Sequence, residues 1–320
     1  MSDDPIQGLA FTGLDPDPVR DEVYWRFFNA DPAGHRSSKV IRDTFDQLYD
    51  GQHTGRFRWQ QLFKTEKTHF GTLLEINLRR EFDDVIDDGV LLDYRVSGVD
   101  IDCKYSQSMG GWMLPPECFG HLLLVATAND EKGTWSLGVV RASEENRRPS
   151  QNRDGKTGLN SRGREQVAWL HRDARLLPNA LLRLDDATLA AVLAPKSGQG
   201  RLNELLRRLT NTRIGRNTIA TVAQQDDYMK RVRGNGGART ALGAEGYLIP
   251  GGDYEAHRRV AMALGIEVPS PGEVVSIRVV PASPGEPWTI ELDGRHWRVA
   301  RDDEPSLEPA PLLPTTKKVM

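Results

Sequence analysis

The sequence predicts a two-domain α/β protein: a mixed helix-and-strand domain first, then a domain of short helices finished by strands. Length, a changing apolar period and an uneven charge distribution predict it. At 320 residues the chain is long for one domain, and either half is large enough to bury its own core. Apolar residues recur at helical spacing in some stretches and in short strand-like runs in others. Acid collects between Glu81 and Asp102, and base collects between Lys196 and Arg239.

The N-terminal elements follow in order. Val40, Ile41, Phe45 and Leu48 give a helical face across 31–50, and Phe70, Leu73, Leu74, Ile76 and Leu78 give a second over 67–81. Two strand-like runs, 90–96 and 99–105, are joined by Ser97-Gly98 and read as a hairpin with carboxylates on both arms. Residues 121–128 form a continuous apolar run expected of a buried strand, with 135–141 as its neighbour. The polar stretch 142–164 has no apolar period and reads as a long loop or mobile linker, with the domain boundary near Leu177 to Asn179.

Beyond the boundary, Leu202, Leu205, Leu206 and Leu209 line a helix over 200–215. Asn217 is the expected N-cap of a helix running to Ala223, and a further helical piece, 228–233, precedes the cluster Gly234-Asn235-Gly236-Gly237. Short helices punctuated in this way suggest helix-turn-helix geometry. Strand-like runs at 274–280 and 288–300 follow, and the Pro-rich end from Pro305 reads as a tail. The expected domains are 1–170 and 178–310, with 311–320 as tail.

Composition excludes several classes. With 38% hydrophobic and 27% charged residues the chain is ordinarily globular. No apolar run nears the roughly 20 residues of a membrane span. Met1-Ser2-Asp3-Asp4-Pro5 has no basic or apolar signal character, so the expected location is cytoplasmic. Cys103 and Cys118 form neither a CxxC pair nor a disulfide framework, which argues against a thiolate zinc site. His69, His121 and His171 lack metal-ligand spacing. The net charge of −3 hides a block, 196–239, with ten basic residues against three acidic ones. Such a block suits a DNA groove, with Lys230, Arg231, Arg233 and Arg239 as candidate phosphate or base contacts.

The chemistry concentrates in Asp93 and, eight residues further on, Asp102-Cys103-Lys104. Residues i and i+2 on a strand share a face, so Asp102 and Lys104 point together and Cys103 points the other way. Carboxylate oxygens suit magnesium, which takes one or two protein carboxylates and keeps waters or substrate phosphate. Spacing alone does not separate such a site from a solvated hairpin of alternating charge. Glu75, an acid inside an apolar helical run, sharpens the case: it reads as a further metal ligand or as half of a buried pair with an arginine.

Longer motifs carry a resemblance. Asp43-Thr44-Phe45-Asp46-Gln47-Leu48-Tyr49-Asp50-Gly51, Lys64-Thr65-Glu66-Lys67-Thr68-His69, Glu75-Ile76-Asn77-Leu78, Asp102-Cys103-Lys104 and Trp112-Met113-Leu114-Pro115-Pro116-Glu117 resemble the NaeI-type (type IIE) restriction endonucleases. So do Ala220-Thr221-Val222-Ala223-Gln224-Gln225-Asp226-Asp227 and the run from Met229 to Arg239. The likeness covers about 31–300 and fails at the ends and across 142–164.

It implies a restriction-endonuclease-like mixed-sheet nuclease core followed by a C-terminal winged-helix DNA-binding domain. It also implies a homodimer, Mg2+ as cofactor, and double-stranded DNA bound at two sites, one cleaved and one acting as effector. The active-site positions fall on Glu75, Asp93, Asp102 and Lys104, with metal ligation by Glu75, Asp93 and Asp102. A two-fold dimer reads a two-fold site, and a short GC-rich palindrome is the natural first expectation. Leu48-Tyr49-Asp50-Gly51 looks like the adenylation motif of DNA ligases with leucine in place of the nucleophilic lysine, so ligation is not expected; Gly51 reads as a helix cap. The basic cluster 64–67 reads as a solvated helix start, and the glycines at 234–237 as a turn. Readings from other classes are a non-catalytic DNA-binding regulator and a repair nuclease.

Overall fold

Two compact units divide the chain: residues up to Leu48 with Arg58–Pro178, and Tyr49–Phe57 with the residues from Asn179 onward. The computed structural model describes residues 10–283 and 285–314, so Met1-Ser2-Asp3-Asp4-Pro5 and the end of the expected tail lie outside the described residues. Among the described residues no helix is long and apolar enough to cross a membrane.

In the first unit, six strands lie in chain order across one sheet: β1 (Asp87–Asp88), β2 (Tyr94–Val96), β3 (Val99–Ser106), β4 (Leu122–Asn129), β5 (Thr134–Arg141) and β6 (Ala168–Arg175). All neighbours are antiparallel except β3 and β4, so the sheet is mixed. Ser97 and Gly98 have φ of 50° and 79°, the left-handed pair a two-residue hairpin needs to return β2 onto β3. The first arm of that hairpin is shorter than expected. Residues 90–93 are bends, and a side chain at Gly89 would strike the Leu92 carbonyl, so the chain turns there instead of extending.

Helix α1 (Pro18–Ala30) packs on β5 and β6, and its first turn is capped by Asp17, whose carboxylate accepts from the Arg20 amide at 3.1 Å. The expected helix over 31–50 begins later, as α2 (His35–Tyr49). Asp31 lies outside it and accepts from the Arg36 and Ser37 amides at 3.1 and 2.8 Å. After the single turn α3 (Gly51–Thr54), helix α4 (Lys64–Glu81) packs on β3. The rings of Phe45, Phe70 and Tyr105 continue that contact, with centroids 4.6 and 4.2 Å apart.

The sheet is covered on both faces. Tyr94, Ile101, Cys103 and Tyr105 look toward α4. Leu123 and Val125 look the other way, into a core with Trp112, Leu114, Cys118 and Leu159 supplied by the loops after β3 and β5. This explains the unbroken apolar run of β4: both of its faces are buried. The stretch 142–164 is not a mobile linker. Its backbone pairs Leu114 with Thr157 and Arg147 with Leu159, Leu159 is fully buried, and it ends in the short helix α5 (Ser161–Glu165) before β6 rejoins the sheet.

The second unit contains α6 (Asp186–Leu193), α7 (Gly198–Arg208), α8 (Arg216–Ala223), α9 (Ala238–Gly243) and α10 (Glu255–Ala263). Strands β7 (Arg213–Ile214) and β9 (Val274–Val275) pair with each other. Strands β8 (Tyr247–Leu248), β10 (Ile277–Pro281), β11 (Ile290–Leu292) and β12 (Arg295–Val299) form an antiparallel sheet in the order β11-β12-β10-β8. Here α7 stops at Arg208, short of Gly215, and only 230–232 of the expected helix over 228–233 makes a helical turn. Asn217 is not an N-cap; Gly215 holds that position, and Asn217 lies inside the first turn of α8. The chain from Pro305 is not a free tail over its described part. Ala310 and Leu313 pack on the core of Leu248, Val260 and Trp297, and the Ala310 amide donates to the Gly243 carbonyl at 2.8 Å.

Residues 49–57 belong to this second unit because α3 lies against α8. A Cβ on Gly51 would come within 2.0 Å of Thr221 Oγ1 and 2.9 Å of the Arg56 carbonyl. Gly51 is therefore not a helix cap; left-handed Asp50 ends α2, and Gly51 allows two helices to touch. Gly51→Ala is expected to destabilise the second unit by about 1–3 kcal/mol, the cost of overpacking a tight contact. Thermal unfolding of the intact protein reads this, and an unchanged midpoint would show that α3 can lift off α8 freely.

Candidate active site

The residue just before β2, the middle of β3 and the centre of α4 supply the predicted residues. Asp93 is fixed first: its Oδ2 accepts from the Cys103 amide at 2.8 Å, which ties the carboxylate to β3 just before β2 begins. Asp102 and Lys104 lie two apart on β3, in register with Leu123 and Val125 of β4, and share their sheet face. The Lys104 ammonium lies 2.5 Å from Asp102 Oδ2 and 3.8 Å from Asp93 Oδ2, and also donates to the Cys103 carbonyl at 3.0 Å. Glu75 lies on α4, close enough to feel the charges of Asp93 and Lys104 but bonded to neither among the described residues. Tyr94 holds that helix in place, its buried hydroxyl donating to the Glu75 carbonyl at 2.7 Å.

The electrostatics are those of a partly buried charged cluster. Burial pushes the Asp102 carboxyl up to about 7; Lys104 opposes the rise and Asp93 adds to it. Glu75 is also raised, by burial and then by the charge of Asp93, and no arginine pairs with it among the described residues. For Lys104, burial works against the charge, but the attraction of Asp102 and Asp93 outweighs it and the amine is held as ammonium. Cys103 points to the opposite face, where burial raises its thiol to about 12. It is inert packing, as is buried Cys118.

Whether a divalent cation fits is decided by the carboxylate oxygens. Among the described residues no three histidine, cysteine or carboxylate groups stand close enough to hold an ion unaided. Buried Asp102 Oδ2 is engaged by the Lys104 ammonium, 2.5 Å away, and by no backbone amide. The Asp93 and Asp102 carboxylates, both within 4 Å of one ammonium and bonded to few other groups, suit a cation such as magnesium, which completes its shell with water and phosphate.

A family model for the restriction endonuclease NaeI matches residues 21–308. The chain is also 47% identical over 308 residues to the type II restriction enzyme NaeI of Lentzea aerocolonigenes, covering 94% of this chain and 96% of that protein. The chain belongs to the NaeI restriction endonuclease family. It is a site-specific deoxyribonuclease that binds double-stranded DNA, and the readings as a non-catalytic regulator and as a repair nuclease fall away. Type II restriction endonucleases generally use a divalent metal.

The basic block of this NaeI-family chain is more committed to the fold than its charge suggests. Arg207 pairs with Glu245 and Glu204, Arg208 with Glu204, Arg213 with Glu273 and Arg231 with Asp227, while Arg201 bonds main-chain carbonyls. Arg239 is mostly buried and donates to the Ile249 carbonyl at 2.8 Å, and burial lowers its pKa. Lys230 and Arg233 are exposed, as are Lys196 and Arg216 at the start of α8, and none of the four has an ion pair among the described residues. Sequence reasoning missed Lys196 and Arg216 as candidate contacts, because charge counting does not separate a paired arginine from a free one. The hold of Tyr94 on Glu75 gave no signal beyond its place next to Asp93.

Proposed function

We propose that this enzyme makes Mg2+-dependent double-strand cuts at a short palindromic, GC-rich site, acting as a homodimer. On this reading the first unit, the expected 1–170 domain, cuts. The second, expected over 178–310, is a winged-helix domain that binds an activating second DNA. The observation that carries the catalytic part is the Lys104 ammonium set between Asp102 and Asp93, with the Asp102 carboxylate buried.

Asp102, Asp93 and Glu75 would hold the magnesium. Bound there, it would supply Lewis-acid polarisation of the scissile phosphate and a lowered pKa for the attacking water. Lys104 is protonated at neutral pH, so its part is to offset negative charge growing on the phosphoryl oxygens, not to remove a proton. The Cys103 amide keeps the Asp93 carboxylate in place before DNA arrives, and Tyr94 fixes the backbone from which the Glu75 side chain extends. In the second unit Lys230, Arg231 and Arg233 contact DNA, joined by Lys196 and Arg216; Arg239 supports the fold around them. Charge reversal at Lys230 or Arg233 should weaken duplex binding and flatten its dependence on salt.

The raised pKa of Asp102 gives the test a sign. Below about pH 7 a proton competes with the cation for Asp102, so the magnesium needed for half-maximal cleavage should rise as pH falls, by roughly tenfold per unit. Single-turnover cleavage of a one-site plasmid, titrated with magnesium between pH 8 and pH 5.5, measures this. A half-saturation value that stays constant across that range would remove Asp102 from the metal site.

A further inference from the structure

The stretch 142–164, expected to be a long loop or mobile linker, is an ordered loop that projects an arm from the sheet face carrying Asp102 and Lys104. Its root is anchored: Thr157 and Leu159 are buried, the Thr157 and Leu114 backbones pair in both directions at 2.9 and 3.0 Å, and Arg147 stacks on the Phe119 ring 3.8 Å from its centroid. Both Leu114 and Phe119 lie on the segment running from Lys104 to the start of β4. The arm thus springs from the layer that covers the site strand. From Arg147 to Gly158 it then doubles back on itself. The Arg148 amide donates to the Gly158 carbonyl at 2.9 Å, the Asn152 amide to the Lys156 carbonyl at 2.8 Å, and Asn152 Oδ1 accepts from the Asp154 and Lys156 amides at 3.0 and 2.9 Å.

The tip so stiffened is polar and exposed. Residues 147–158 hold four basic side chains against Asp154 alone, and no apolar side chain of the tip gives it a packing role. Gln151, Arg153 and Lys156 are exposed and make no side-chain hydrogen bond or ion pair among the described residues. Ordering some ten residues around such a tip is an entropic cost that folding recovers only at its root. A two-stranded ribbon is narrow enough for the major groove, arginine matches the O6 and N7 acceptors of guanine, and glutamine matches the N6 and N7 edge of adenine.

We infer that the 147–158 arm is the base-reading element of the nuclease unit: Arg153 and Gln151 contact base edges beside the scissile phosphate, and Lys156 contacts the backbone. The inference rests on the proposed placement of the cutting site at Asp93, Asp102 and Lys104.

The test uses the full-length protein with Arg153→Ala, Gln151→Ala and Lys156→Ala, each first checked for an unchanged thermal midpoint, as exposed positions allow. Pools of duplexes randomised at single positions of the site are bound in calcium, without cleavage, and sequenced. They are also cut in magnesium and the ends sequenced. Arg153→Ala should lose discrimination about 5- to 150-fold at one symmetric pair of positions, and Gln151→Ala at another. Lys156→Ala should weaken all sequences alike and reduce the salt slope by about one. Unchanged base preferences in both Arg153→Ala and Gln151→Ala would overturn the inference. The calcium arm separates this failure from a misplaced cutting site, because base preference in binding needs no chemistry.

Discussion

Asp102→Ala and Lys104→Ala should each lose cleavage by at least about 10²–10³-fold while binding cognate duplex within a few-fold of the unaltered enzyme. The expectation follows from the division of labour in the cluster. Asp102 is the most buried of its groups, and among the described residues Lys104 is the one cation within 4 Å of both aspartates. Neither has a structural partner whose loss would unfold the sheet, although removing Asp102 leaves the ammonium with Asp93 alone. Asp102→Asn is the control for packing: it keeps the shape, removes the charge, and should be as inactive as the alanine variant. Plasmid linearisation with calcium-supported binding in parallel reads both quantities. Full cleavage by the Asp102 or the Lys104 variant would place the chemistry elsewhere, and chelation by EDTA should stop the unaltered enzyme as completely as either substitution.

The second large effect expected is activation by DNA that is not cut. A short duplex carrying the recognition site in an uncleavable form should accelerate cleavage of a one-site substrate by about 5- to 150-fold, the range given by a coupling of about 1–3 kcal/mol. Activation requires effector DNA to favour the cleaving state over the idle one; tight binding without that preference changes nothing. The polar stretch 142–164 cannot be the moving joint, since it is anchored within the first unit. The chain crosses between units after Leu48, after Phe57 and after Pro178. A duplex that only competes, over its whole concentration range, would show the units to be independent.

The legible parts of the fold were those with a period or a turn. The hairpin at Ser97-Gly98, the buried strand β4 and the leucine face of α7 all declared themselves, because burial on one or two faces imposes spacing on a sequence. The site was legible because Asp93, Asp102 and Lys104 are close in sequence and the hairpin needs only a local turn to gather them. What stayed hidden depended on distant partners. Helix α1 carries aromatic residues without a clean apolar stripe, and β6 alternates buried and half-buried positions only over 168–171, before the exposed Arg172 and Asp173. The arm at 147–158 is ordered by main-chain pairing, which leaves no mark on residue types. Arg239 looked like a DNA contact by charge and proved to be an internal hydrogen-bond donor, a distinction made only by the Ile249 carbonyl beside it.

The placement of Tyr49–Phe57 in the second unit bears on how such enzymes could be recombined. With α3 seated on α8, and with the Phe57 side chain in the core and its carbonyl accepting from Asn179 Nδ2 at 3.0 Å, these nine residues are as much a part of the second unit as any helix after Pro178. A chimera joined at the single boundary near residue 178 would therefore bring together halves that had not adapted to each other at the Gly51–Thr221 contact. Exchange between lineages works only if the insert at 49–57 travels with the C-terminal half. Inheritance of the two units as one block is thus written into the path of the chain.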